Sequence, residues 1–140
     1  MHKTVPVALN TMRVAGVGAI ALGLAFWGGQ LVGLIHIHVA LGLVVVLALW
    51  ALSAVGLARG DIRGRAAVLF ILGLAVLALG ATQTSLLPGP QHWVTRAVHL
   101  LLGVVALRQG EVLARLLRGQ SPQPGAQRPE ADRVAAAQRR

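Results

Sequence analysis

The sequence predicts an all-α integral membrane protein, a four-helix up-down-up-down bundle followed by a disordered C-terminal tail. Three observations predict it. Of 140 residues, 56% are hydrophobic and only 12% charged, too few charges to cover a soluble domain of this size. No Asp, Glu, Lys or Arg occurs from Val14 to Ala58, and none from Ala66 to Thr95. A spanning helix needs about 20 apolar residues, so the first stretch holds two spans and the second holds one span and the start of a fourth.

Residues 1–13 form a short polar start on the cytoplasmic side. Lys3 and Arg13 before an apolar run also fit a secretory signal, but no small-x-small cleavage site follows and the run is long enough to span. The first span is 14–29, closed by Gly28-Gly29-Gln30. The second is 34–58, and Arg59-Gly-Asp-Ile-Arg-Gly-Arg65 is a charged turn. The third is 66–83, followed by the turn-forming loop Leu86-Leu-Pro-Gly-Pro-Gln91. The fourth is 93–107, the shortest, and it carries Arg96; together the spans make a membrane domain over 14–107. In 108–118, Val112, Leu113, Leu116 and Leu117 share one face and Arg108, Glu111, Arg115 and Arg118 another, which predicts an interfacial amphipathic extension. Residues 119–140, rich in Arg, Ala, Gln and Pro, read as a disordered basic tail. Leu22-Gly-Leu-Ala25 repeats as Leu72-Gly-Leu-Ala75, and Arg13 and Gln30 bracket the first span as Arg65 and Gln83 bracket the third. These matches point to two duplicated hairpins.

The formal charge of +9 invites a nucleic-acid reading, which its distribution excludes. The basic residues lie at the ends of apolar segments and in the tail, with no folded basic face among them. They set orientation instead. Lys3, Arg13, Arg59, Arg63, Arg65, Arg108, Arg115 and Arg118 fall on one side of a four-span arrangement, whereas the loops at 31–33 and 84–91 are uncharged. The positive-inside rule then places both termini in the cytoplasm, with Trp27 and Trp93 at the outer boundary. Without cysteine there is no disulfide, thiolate metal site or c-type haem attachment. No carboxylate pair, phosphate loop or nucleophile motif points to a hydrolase, kinase or nucleotide binder, so the chain is not expected to be an enzyme.

The chemistry-bearing feature is an echo. His38-Val-Ala-Leu-Gly42 in the second span returns as His99-Leu-Leu-Leu-Gly103 in the fourth. A polar ring in a membrane segment is costly and normally has a partner or a function. Glycine one turn on shares the histidine's face and leaves room for something flat to approach the backbone. In the simplest bundle the second and fourth helices start on the same side and lie diagonally. That puts both rings in the outer half, further apart than the about 8–10 Å of neighbouring helices. A haem b held between His38 and His99 is the expectation, with Gly42 and Gly103 beside it. Arg96, one turn outward of His99, would meet a haem propionate or a lipid phosphate. His36 faces away from His38 and is read as interfacial; His92, beside Trp93, is read as an interface anchor. Gln30, Gln83, Thr82 and Thr84 would make the outer entrance polar. The competing account is that both histidines make interhelical hydrogen bonds and the glycines serve close packing.

The arrangement of His38 and His99 on helices two and four resembles one half of haem A synthase, and is similar in outline to small b-type cytochromes of bacterial membranes. It also resembles small four-span bacterial proteins with a Leu-Leu-Pro-Gly…His-Trp…His pattern. The resemblance implies a bacterial inner (cytoplasmic) membrane protein with His38 and His99 as axial ligands. The synthase has an acidic residue one turn before its helix-two histidine, where this chain has Ile35, so oxygenation chemistry does not carry over. A bis-histidine iron has no open position and suits electron transfer, with the bilayer, a quinone or another redox membrane protein as partners and a homo-oligomer compatible with all of these. The alternatives are a membrane subunit or scaffold with structural histidines and, ranked last, a small transporter, because no span contains Asp or Glu.

Overall fold

The computed structural model describes residues 3–119, which fold into four long helices. They are α1 (Thr4–Trp27), α2 (Ile35–Leu57), α3 (Arg63–Thr82) and α4 (His92–Leu117), with a short 3₁₀ turn, Val32–Leu34, leading into α2. Three segments, Thr4–Trp27, Val32–Leu57 and Arg63–Thr82, are long and apolar enough to cross a membrane, with mean hydropathies of 1.5, 2.5 and 2.1. The expected fourth span, 93–107, is the N-terminal part of α4. Arg96 and the charged last third dilute that helix below the same standard.

Helix α1 begins well before Val14. Pro6 sits in its first turn, where a missing N–H costs nothing. Val5, Ala8, Leu9, Met12 and Ala15 then recur at i, i+3, i+4, i+7 and i+10, and all are buried. At its other end Gly29, at φ 74°, lets the chain reverse: Gly29 N–H donates to Phe26 O and Gln30 N–H to Ala25 O, the paired bonds of a Schellman cap. The charged turn 59–65 caps two helices. Arg59 Nη1 donates to the Leu117 carbonyl at 3.0 Å and Arg63 Nε to the Leu57 carbonyl at 3.1 Å, satisfying last-turn acceptors and opposing the negative ends of both dipoles.

The amphipathic stretch 108–118 is the last three turns of α4, continuous with the span. Its apolar face lies inside the molecule, with Leu113 at 2% and Ala114 at 0% exposure. The early start of α1 makes this possible, because Val5, Leu9 and Met12 supply a covering surface. Arg13 on α1 donates to Glu111 at 2.9 Å, and Arg115 reaches the other oxygen at 3.4 Å. The Arg13 contact and desolvation of the carboxyl act in opposite directions, and the contact wins, holding Glu111 below the usual carboxylate range. The expected tail beyond Gly119 lies outside the described residues.

Glycines set the spacing. A Cβ on Gly56 would lie 2.8 Å from Ala66 Cβ, and one on Gly110 would lie 2.6 Å from Met12 Sδ and 2.8 Å from Leu49 Cδ2. Such contacts bring α2 directly against both α3 and α4. Consequently α2 and α4 touch each other as well as both flanking helices, whereas α1 and α3 do not meet. The expected wide α2–α4 diagonal is therefore the short one, closed by Gly56 and Gly110, and the long diagonal runs from α1 to α3. The repeated Leu-Gly-Leu-Ala segments have unlike surroundings. Gly23 faces His38, whereas Gly73 faces the Trp50 indole, which stacks on Phe70 and donates to its carbonyl.

Burial is uneven along the bundle. The buried residues of α1 end at Gly16, those of α2 begin at Val45, and those of α4 other than Thr95 begin at Ala106. The half bearing the charged turns is packed shut. The half bearing the histidines is not.

Candidate histidine site between the second and fourth helices

His38 and His99 come together. Their ring centres are 6.5 Å apart, with ring planes inclined by 56°. His38 is anchored from α1, its Nδ1 lying 3.0 Å from the Ala19 carbonyl. A carbonyl only accepts, so Nδ1 carries the proton and Nε2 is left with its lone pair. That is the arrangement found where a histidine ligates a metal. The Phe26 ring meets His38 edge-on at 5.5 Å. His99 lies against α3: a Cβ on Gly80 would sit 3.0 Å from its Cε1. Its Nδ1 is buried and has no partner among the described residues, a state that costs roughly 1–3 kcal/mol.

The two rings are near enough that, with His99 turned, both could reach a single metal ion. No cluster of three or more His, Cys, Asp or Glu occurs among the described residues. Two imidazoles leave most metal ions with open positions, which a ligand that brings its own donors, such as a porphyrin, would fill. The surroundings fit a flat group. Gly23 on α1 and Gly80 on α3 remove side chains beside the two rings, and Gly42 and Gly103 have nothing within 4 Å of where a Cβ would stand. His99 must turn to participate, since it now presents its Cε1 edge to α3.

The other polar residues lie outside the pair. His36 is exposed. His92 is half-buried, and its carbonyl accepts from Thr95 Oγ1 at 2.8 Å, with its Nδ1 3.3 Å from the same hydroxyl. Thr82 Oγ1 donates to Ala78 O within its own helix. Arg96 is exposed and borders an open groove of about 530 Å³ with Thr84, Pro88, Gly89, His92 and Trp93. No family model, curated protein or solved structure matches the chain.

Three contributors escaped the sequence reading: the Ala19 carbonyl, Phe26 and Gly80. A backbone acceptor leaves no mark in a sequence. Gly80 was findable, because it ends an otherwise uninterrupted Ala/Val/Leu run at the level where an antiparallel α4 would place its histidine.

Proposed function

We propose that this is a membrane-embedded b-type haem protein that transfers electrons, with His38 and His99 as the two axial ligands. In this reading the four helices cross the membrane up-down-up-down with both termini in the cytoplasm, and the haem lies toward the outer side. The observation that carries it is the pair of imidazoles contributed by two helices at 6.5 Å, one already committed through Nδ1 to a backbone carbonyl. Gly23 beside His38 and Gly80 beside His99 would leave room for the group. When bound, the group would supply a one-electron couple, and two protein ligands would leave iron no site for oxygen. The chain's own part is to orient both rings and exclude water; a quinone or another redox membrane protein would exchange the electron.

The test is the reduced-minus-oxidised spectrum of protein purified from haem-replete cells. Wild type and His36→Ala should show a b-type signal, and His38→Ala and His99→Ala should not. A colourless wild type overturns the proposal. The His38–Ala19 hydrogen bond favours a second reading, a scaffold in which the histidine only ties α1 to α2. In that case His38→Ala would lower stability by about 1 kcal/mol with no spectrum to lose.

A further inference from the structure

One cation stands apart from all the others in the described residues. Arg96 is the one Lys or Arg between Ala66 and Leu107, and the described carboxylates, Asp61 and Glu111, both belong to the opposite end of the bundle. Glu111 is moreover occupied by Arg13 and Arg115. An arginine on the side otherwise free of charge works against the orientation signal, so a counter-charge from outside the described residues is the economical explanation for it.

The groove that Arg96 borders has the composition to hold such a counter-charge. Its polar wall consists of the guanidinium, the Thr84 hydroxyl and the His92 ring, with no acidic group. The N-terminal end of α4 opens beside it, and no side chain caps that end, so the positive pole of a 26-residue helix adds to the same field. The remaining surface is apolar. Trp93 is 58% exposed, and Leu86 and Leu87 are exposed in the adjoining loop. A planar fork of donors beside an exposed indole, with two exposed leucines in the adjoining loop, matches an anionic diester attached to hydrocarbon.

We propose that this groove binds the phosphate of an anionic phospholipid, with Arg96 as the principal contact and the glycerol and acyl portion against Trp93 and the Leu86–Leu87 loop. The inference depends on membrane insertion and not on haem. Full-length protein in detergent is titrated with phosphatidylglycerol, phosphatidylcholine or inorganic phosphate, reading bound lipid by native mass spectrometry and stability by thermal midpoint. Phosphatidylglycerol should bind wild type and raise its midpoint more than phosphatidylcholine does. Arg96→Gln should weaken it roughly ten- to hundredfold, as loss of a charge-assisted contact implies, while Arg108→Gln at the other end should not. Should Arg96→Gln fail to fold, Arg96→Lys serves, with binding weakened but the preference for the anionic lipid kept. Unchanged lipid binding in Arg96→Gln overturns the proposal. So does stabilisation by inorganic phosphate equal to that by lipid, which would make this a site for a soluble anion. If Arg96→Gln leaves lipid binding intact but shifts the midpoint potential of haem-loaded protein, the guanidinium faces a propionate and the lipid assignment fails while the haem assignment stands.

Discussion

Glycines that close a helix crossing and glycines that keep a slot open respond oppositely to a methyl group. Gly42 and Gly103 lie in the middle of α2 and α4, and a Cβ at either would meet nothing within 4 Å. Replacing glycine by alanine in a helix interior gains about 1 kcal/mol where the new methyl is unopposed, so Gly42→Ala and Gly103→Ala should each stabilise the haem-free protein by roughly 0.5–1 kcal/mol. Leucine at the same positions should also leave the fold intact, since it grows into unoccupied space, yet it would occupy the volume a porphyrin needs. Overpacking costs about 1–3 kcal/mol per position, or roughly 5- to 150-fold in haem affinity, and the double leucine variant should not hold haem at all. Unfolding in mixed micelles, followed by tryptophan fluorescence, gives the first quantity, and haem titration of the apoprotein gives the second. If Gly42→Ala and Gly103→Ala destabilise the apoprotein, the two glycines are packing residues. If the leucine variants bind haem as tightly as wild type does, the slot lies elsewhere.

At the packed end the sign reverses. Gly56→Ala should destabilise by about 1–2 kcal/mol, because two rigid methyl groups cannot share a 2.8 Å gap, and adding Ala66→Gly should restore most of the loss; no recovery in the double variant would locate the strain somewhere else. Glu111, whose folded-state affinity for a proton is lowered chiefly by its bond from Arg13, stabilises the fold at pH values above the ordinary glutamate range. That contribution is lost as pH falls through the depressed folded value. The thermal midpoint should therefore drop on acidification less steeply in Glu111→Gln than in wild type, and identical slopes would remove Glu111 from the account. A cysteine introduced at Gly89 should be labelled by an impermeant reagent from outside the cell and one at Gly64 should not; the reverse pattern would invert the proposed orientation.

Much of this architecture is visible in the amino-acid order because long apolar runs make long uninterrupted helices, and charged or Pro/Gly breaks mark their ends. The pairing of His38 with His99 was visible for the same reason, since two polar rings in matched apolar surroundings are conspicuous. Two things were hidden. The start of α1 was obscured by Thr4, Asn10, Thr11 and Arg13, which end a hydropathy run while leaving the Val5–Ala8–Leu9–Met12 stripe intact; periodicity carried the information that mean hydropathy erased. The short α2–α4 diagonal was hidden because it depends on which glycines lie against a neighbouring helix. Gly56 meets Ala66 and Leu113 and Gly110 meets Met12 and Leu49, whereas Gly42 and Gly103 meet nothing within 4 Å, and nothing local distinguishes the two pairs.

The uneven burial along the helices divides the molecule into parts with different opening costs. The end built on Met12, Leu49, Leu52, Leu69 and Leu113, all nearly inaccessible, would exchange its amide hydrogens only on global unfolding. The turns around His38 and His99 lack such a core and should open in excursions of much lower free energy. A large planar molecule could then enter by parting one end while the other stays shut, and its own contacts would raise the protection of that end alone. Loading would be a local event on a permanently closed foundation, and the foundation would persist when the ligand leaves.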